Sequence, residues 1–332
     1  MVQDRLWRVG VVDLGGTRVR TAIANRQGRI AGRVEERTDH SRGPESVIDQ
    51  ISRLLASSAE RAGVPWTEIH QVAIGAPGPL DRVEGVIYSP PNMPGWATVP
   101  LADRLRRILG VPVALANDAN AAALGEYRFG AGRGAENIIY LTVSTGIGSG
   151  IIAGGRLIEG RSNMAGEIGH TTIDRFGPRC PCGNIGCLEF IASGTSIARR
   201  YREATAAKGT EVLARGADDV ARRAADGDVI AASILTDAMH AIGIGVVNLV
   251  NIFNPEVVAI GGGVANLGPA LFDTVRDVVR ERALPEPASD VRVMPAELGE
   301  DVGLIGAAAV ALTDEEFSQA PAAAAGRLRT DA

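Results

Sequence analysis

The 332-residue chain has almost no lysine: Lys208 is the only lysine among its 34 basic residues. No lysine is therefore expected to clamp a phosphate near the glycine-rich motifs described below, and we attribute the use of arginine to genome composition. The chain also has no excess of positive charge, because its net charge is -5 and its pI is near 5.5. This balance argues against a nucleic-acid-binding surface.

The sequence also lacks the usual signals for export and membrane insertion. Its first 16 residues contain no basic region followed by a long apolar run, so no signal peptide is expected. The most apolar segment, 241–260, contains three asparagines, Pro255 and Glu256, which argues against a membrane span. We therefore expect a soluble cytoplasmic protein of two domains, since 332 residues exceed one small core. Residues 314–332 are of low complexity and are predicted to form a disordered tail.

Cysteine is absent outside one short run that holds Cys180, Cys182 and Cys187, ten residues after His170. A disulfide would leave one thiol unpaired, and nothing suggests an oxidising compartment. Three unrelated buried cysteines are the other alternative, which the lack of cysteine elsewhere disfavours. Three thiols and one imidazole instead match the closed tetrahedral site of a structural Zn²⁺. Such a loop would also fix two flanking acids, Glu167 and Glu189, which could then hold a polar substrate.

Two segments, 8–32 and 137–160, share the order strand, glycine turn, strand, glycine turn, strand. This similarity predicts a duplicated unit of three strands. Helices and strands alternate after each unit, which predicts an α/β fold with mostly parallel sheets and a cleft between two related halves. The predicted helices cover 44–62, 101–109, 228–253 and 304–312, and the predicted strands cover 69–75, 111–116 and 257–261.

Neither a GxxxxGK[ST] nor a GxGxxG motif opens a helix, so the P-loop and Rossmann fingerprints are absent. Three other glycine turns are present, at 13–17 (DLGGT), 145–148 (TGIG) and 261–264 (GGGV). In the first, glycine amides and the Thr17 hydroxyl could approach a phosphate, and Asp13 could orient Mg²⁺ or its waters. Each motif alone is more often an ordinary β-turn.

Together, these turns and the cysteine loop resemble the ROK family (repressor, open reading frame, kinase) of sugar kinases, and most closely its bacterial zinc-containing glucokinases. The resemblance covers residues 8–312, and its most specific parts are EIGH and CPCGNIGCLE. It implies an actin-like ATPase (ribonuclease H-like) fold with duplicated βββαβαβα lobes. The smaller lobe is expected to comprise 1–118 with about 300–313, and the larger lobe 119–299 with the zinc loop.

The resemblance also implies roles for individual residues. Asp118 would be the catalytic base, although from the residues alone it could equally cap the following helix. Arg18, Ser144 and Ser149 depart from the family pattern around the phosphate loops. The implied sugar contacts are Asn92, Asn117, Asp118, Glu167, His170 and Glu189; the implied nucleotide contacts are Asp13, Gly15, Gly16, Thr17, Thr145, Gly146, Gly262 and Gly263; the implied zinc ligands are His170, Cys180, Cys182 and Cys187.

The expected activity is ATP-dependent phosphorylation of a hexose, with glucose converted to glucose 6-phosphate and with Mg²⁺ accompanying the ATP. N-acetylmannosamine or another hexose is the alternative substrate, and a non-catalytic sugar-responsive regulator is the alternative class. A repressor of this family would carry a helix-turn-helix before the first strand, where only seven residues precede it. A homodimer or homotetramer is expected. His40, His70 and His240 are interpreted as structural or surface residues.

Overall fold

The computed structural model describes residues 7–319, with side chains described as far as residue 313. The chain forms two compact units. Among the described residues, unit 1 contains 7–121 and 301–319, and unit 2 contains Ala122–Glu300.

Unit 1 is built on a five-stranded sheet with helices packed on it. The third, second and first strands along the chain form an antiparallel set, and two parallel strands follow the first. Gly10 lets a helix approach closely, since a Cβ there would lie 3.0 Å from Leu55 Cδ2. The elements are β1 (Val9–Leu14), β2 (Arg18–Ala24), β3 (Ile30–Arg37), α1 (Pro44–Ala62), β4 (Gln71–Ala76), the small pair β5 (Leu80–Asp81) and β6 (Val86–Ile87), α2 (Leu101–Leu109) and β7 (Val113–Asn117).

Unit 2 repeats this arrangement of strands. Its central strand pairs antiparallel with the next strand along the chain and parallel with a later one, as β1 does with β2 and β4. Its elements are α3 (Asp118–Phe129), which begins in unit 1, then β8 (Ile138–Val143), β9 (Ile147–Ala153), β10 (Arg156–Leu157), α4 (Leu188–Ala192), α5 (Gly194–Ala206), α6 (Ala217–Ala225), α7 (Val229–Phe253), β11 (Val257–Gly261), α8 (Pro269–Arg282), α9 (Pro285–Asp290) and β12 (Arg292–Pro295).

The two sheets have the orders β3-β2-β1-β4-β7 and β10-β9-β8-β11-β12. The predicted α/β fold with a duplicated three-strand unit is therefore confirmed. Two predicted strands begin later than expected, because a short 3₁₀ turn, Trp66–Glu68, precedes β4 and Pro112, which has no N–H to donate, precedes β7.

The predicted tail is partly wrong. The last helix, α10 (Val302–Gln319), returns to unit 1 and continues through residues 314–319, which were expected to be disordered. The first proline after Leu312 is Pro321, so the sequence offers no earlier helix breaker. The rest of the predicted tail, 320–332, lies outside the described residues.

Helix α7 is the core helix of unit 2. It is long and apolar enough to cross a membrane by length and composition, but half of its most apolar stretch is buried within the protein. Asp228 caps its start by accepting hydrogen bonds from the amides of Ile230 and Ala231. Its buried residues pack with those of α8 and of the central strands in one apolar cluster. Burial within unit 2 therefore accounts for its composition.

Candidate active site and metal cluster

The first glycine turn, Gly15–Thr17, joins β1 to β2 in unit 1. The Gly15 amide donates to the Arg18 carbonyl at 2.9 Å, which closes the turn. Gly16 packs directly on Asn92, because a Cβ at position 16 would lie 2.6 Å from Asn92 O. The family resemblance assigns this turn to the nucleotide and the Asn92 loop to the sugar. The two segments are therefore in contact.

Asp13 lies near the end of β1 and faces a helix start. Its carboxylate lies 3.3 Å from Arg20 Nη1, and a Cβ at Gly303 in the first turn of α10 would meet its Cγ at 2.5 Å. Burial raises the pKa of Asp13, and the charge of Arg20 partly offsets this increase. The carboxylate thus has a fixed direction, and the charges of Arg20 and Arg33 both act on it.

Asp118 begins α3, immediately after β7, and its residue is exposed. The side chain of Asn117 caps this helix, since its Oδ1 accepts from the amides of Ala119 at 3.0 Å and Asn120 at 3.3 Å. Asp118 Oδ1 also accepts from the Ala119 amide, at 2.8 Å. Capping, which was the competing interpretation of Asp118, is thus carried out largely by Asn117.

The second glycine turn, Ser144–Gly146, joins β8 to β9 in unit 2. Glu189 Oε2 accepts from the Ile147 amide at 2.7 Å, directly after this turn. A Cβ at Gly146 would lie 2.5 Å from the same oxygen, so only glycine allows the approach. Glu189, a predicted sugar contact, therefore uses one carboxylate oxygen to support the turn that is predicted to bind phosphate.

The EIGH loop packs against β9 through two glycines. Ser149 Oγ donates to the Gly166 carbonyl at 2.5 Å, and a Cβ at Gly169 would lie 2.3 Å from Ile147 O. Glu167 lies between these glycines in the chain, and loss of hydration raises its pKa. The charge of His170 opposes this increase, and the charge of Glu189 adds to it. Ser149 thus acts on the loop that carries Glu167, rather than on the second turn alone.

A cavity of about 360 Å³ opens beside the second turn. Thr195 donates its hydroxyl to the Thr145 carbonyl, and Gly194 donates its amide to the Ser144 carbonyl at 2.7 Å. Gly262 has φ 85°, and a Cβ there would lie 2.5 Å from Val143 O, which explains its glycine. The cavity is lined by Ser144, Thr145, Gly194, Thr195, Arg215, Gly216, Ala217, Asp218, Gly263, Val264 and Asn266.

The four predicted metal ligands lie together in unit 2. One ligand atom from each of His170, Cys180, Cys182 and Cys187 lies within 4.8 Å of the others. The sulfurs of Cys182 and Cys187 are 3.7 Å apart. Thiolates bound at about 2.3 Å to a tetrahedral Zn²⁺ lie about 3.8 Å from one another. The donor set and this spacing therefore fit a Cys₃His zinc site.

The thiols of the cluster differ in burial and in their electrostatics. Burial, followed by hydrogen bonds with Cys182 and Cys180, raises the pKa of Cys187 to about 12. Backbone hydrogen bonding from Asn184 instead lowers the pKa of Cys182, which is exposed. Zinc binds thiolates, so metal binding at this cluster would release protons and weaken as the pH falls.

The structure distributes the predicted site residues between the two units. Asp13, Gly15, Gly16, Thr17, Asn92, Asn117 and Asp118 belong to unit 1, and Thr145, Gly146, Glu167, His170, Glu189, Gly262 and Gly263 belong to unit 2. Sequence reasoning missed Thr195, Arg215 and Asn266, which line the cavity. The available signal was a small, polar Ser-Gly-Thr run at the start of α5.

Comparisons with known proteins give a consistent result. Residues 9–314 match the model of the ROK family. The chain is 37% identical over 310 residues to the glucokinase of Thermotoga maritima, covering 90% of this chain and 95% of that protein. Proteins named N-acetylmannosamine kinase (Shigella boydii) and xylose repressor (Caldicellulosiruptor bescii) are also similar, at 33% and 30% identity.

Solved structures extend this similarity to three dimensions. A ROK hexokinase from Thermus thermophilus superposes with a TM-score of 0.82 at 36% identity, covering 93% of this chain and 99% of that one. A ROK family glucokinase from Streptomyces griseus, solved with glucose and AMPPNP, gives a TM-score of 0.76 at 33% identity, with coverages of 91% and 98%. The predicted actin-like ATPase fold is confirmed by these matches.

Proposed function

The chain belongs to the ROK family and is a sugar kinase, and from that premise we propose that it transfers the terminal phosphoryl group of ATP to the 6-hydroxyl of glucose. The observation that carries this proposal is the exposed Asp118 carboxylate on a rigid element, at the junction of β7 and α3. Asn117 provides two capping bonds to that helix, and we assign the Asp118 carboxylate the role of accepting the hydroxyl proton.

The phosphoryl transfer requires one bond to form, one bond to break and one proton to move. As the sugar oxygen bonds to the γ-phosphorus, its proton passes to Asp118, and the bond between the γ-phosphorus and the bridging oxygen breaks to release ADP. The backbone amides of Gly16, Thr17, Thr145 and Gly146 would bind phosphate oxygens. We assign the cavity beside Thr145 and Gly263, with Gly262 next to it, to the nucleoside. Mg²⁺, when bound to ATP near Asp13, neutralises phosphate charge.

The sugar hydroxyls would be bound by carboxylates and amides. Glu189 Oε2 is committed to the Ile147 amide, so Oε1 is the oxygen that would accept from the sugar. Asn117 uses Oδ1 as a cap and would offer its Nδ2 as a donor. Asn92, Glu167 and His170 complete the proposed set of contacts.

Zn²⁺ is the proposed metal of the His170, Cys180, Cys182 and Cys187 cluster. Its contribution would be structural, because four protein ligands complete a tetrahedron and leave no open position for substrate. The cluster lies between Glu167 and Glu189 along the chain, so it would hold the loop that carries both acids. Cytoplasmic location and a homodimer or homotetramer are part of the same proposal.

One assay distinguishes the candidate functions. Formation of sugar phosphate is measured with glucose, mannose, fructose, N-acetylglucosamine and N-acetylmannosamine, using ATP and then polyphosphate as the donor. The proposal expects the highest kcat/KM for glucose with ATP. A tenfold preference for an N-acetylated sugar, equivalent to about 1.4 kcal/mol, contradicts glucose as the substrate. Sugar binding without any phosphoryl transfer would indicate a regulator.

A further inference from the structure

The carbonyl oxygens of the first phosphate turn, Gly15–Thr17, are all engaged by one short segment. Thr38 Oγ1 donates to Gly15 O at 2.6 Å, and the Thr38 amide donates to Thr17 O at 3.0 Å. His40 Nε2 lies 2.7 Å from the middle carbonyl, Gly16 O. Since a carbonyl oxygen only accepts, Nε2 must carry the proton and act as the donor.

These bonds determine where the amides of the turn point. A trans peptide unit is planar, with its C=O and the following N–H on opposite sides. Fixing Gly15 O therefore fixes the direction of the Gly16 amide, and fixing Gly16 O fixes that of the Thr17 amide. Successive amides held in one direction form the anion-binding concavity on which a phosphate turn depends.

The segment that holds the turn is itself held by α1. Gln50 donates from Nε2 to Arg37 O at 2.7 Å and accepts from the Asp39 amide at 3.0 Å. Ser46 donates its hydroxyl to Asp39 O at 2.6 Å. Gln50 and Ser46 are both buried. His40 is therefore connected to the rigid part of unit 1 and is not a free surface group.

The second phosphate turn, Ser144–Gly146, has the same pattern with different residues. Its first carbonyl accepts from the Gly194 amide, and its third accepts from the Ser144 amide at 2.8 Å. Its middle carbonyl, Thr145 O, accepts from the Thr195 hydroxyl. In both turns, a side chain from a distant part of the same unit holds the middle carbonyl. The duplicated fold thus repeats this feature although the donors differ.

We propose that His40 is a positioning residue of the first phosphate turn: its Nε2–H holds the Gly16 carbonyl and so directs the Thr17 amide toward the bound phosphate. The assignment rests on the proposed kinase function, since it presupposes that this turn binds a phosphate. Among the described residues, His40 Nδ1 is buried without a hydrogen-bond partner. The bond to Gly16 is thus the one that orients the ring.

Two substitutions at His40 differ in whether the new side chain can donate a hydrogen bond to Gly16 O. His40→Gln places an amide donor near the Nε2 position, whereas His40→Asn places its donor near the Nδ1 position and cannot reach Gly16 O. His240→Asn is the matched control, because His240 is exposed on α7 in unit 2. For each full-length variant, three quantities are measured: hydrogen exchange of the Gly15 and Thr38 amides, which donate to the Arg18 and Thr17 carbonyls, without ligand; the KM for ATP and for hexose; and the melting temperature.

We expect His40→Asn to speed exchange of the Gly15 and Thr38 amides by about fivefold to tenfold and to raise the KM for ATP by a similar factor. The KM for hexose should change less, and His40→Gln and His240→Asn should stay within about twofold of the parent chain. Equal behaviour of His40→Asn and His40→Gln, whether both intact or both impaired, overturns the proposal. So does a lower melting temperature with unchanged exchange and KM. If the parent chain phosphorylates no hexose, the kinase assignment fails, while the exchange rates still decide the role of His40.

Discussion

The carboxylate of Glu189 accepts a hydrogen bond from the backbone amide of Ile147 at 2.7 Å. This bond joins the end of the zinc loop to the residue that follows the Ser144–Gly146 turn. A residue assigned to the sugar therefore also fixes the turn assigned to the phosphates. Loss of the hydrogen-bond acceptor at position 189 should therefore affect both substrates, which distinguishes Glu189 from a residue that contacts sugar alone.

Glu189→Gln should separate these two roles. The amide oxygen of glutamine can still accept from Ile147, so the KM for ATP should change little. The charged acceptor for a sugar hydroxyl is lost, so hexose affinity should fall about tenfold or more. Glu189→Leu removes both bonds and should raise both KM values. Steady-state kinetics with each substrate varied in turn checks this, and a Leu variant that changes only the KM for hexose would contradict the coupling.

Metal analysis should find about one zinc per chain. Cys182→Ser should release it, and the KM for hexose should then rise more than the KM for ATP, because the cluster holds the loop between Glu167 and Glu189. The far-UV circular dichroism spectrum serves as the control for general unfolding. Full hexose affinity in a purified metal-free protein would show that the cluster does not position the sugar contacts.

Hexose affinity should fall as the pH is lowered, at values above the ordinary glutamate pKa of 4.5. The reason is that loss of hydration raises the pKa of Glu167, and a protonated carboxyl loses its charged acceptor. The effect on the free energy of unfolding has the opposite sign. Because the pKa of Glu167 is higher in the folded state, protonation of Glu167 stabilises the fold, and this stabilisation is lost as the pH rises through that pKa. With zinc kept saturating, hexose affinity measured from pH 8 to pH 5 should fall more steeply in the parent chain than in Glu167→Gln. If the pH profiles of the parent chain and of Glu167→Gln are parallel, Glu167 does not contact the sugar.

Local sequence patterns were sufficient for the fold and for the metal cluster. The repeated order of strands and glycine turns predicted both sheets. The three cysteines of one loop, with His170, predicted a set of metal ligands whose ligand atoms lie within 4.8 Å of one another. The contacts that organise the site were not predictable in this way. His40 meets Gly16 across 24 residues, and Glu189 meets Ile147 across 42. Such pairs depend on how distant elements pack, and a histidine or glutamate in a loop carries no local sign of its partner.

The assignment of Asp118 as the base is the central claim, and one substitution tests it most directly. Asp118→Asn keeps the shape of the side chain and an oxygen that can accept from the Ala119 amide, so the fold and hexose binding should persist. With no group to accept the hydroxyl proton, kcat should fall by about 10²–10⁴-fold. The measurement is kcat by ADP release, together with hexose Kd by calorimetry on the same preparation. An unchanged Kd with kcat reduced by this factor is the predicted result, and a kcat within about tenfold of the parent chain would contradict the account.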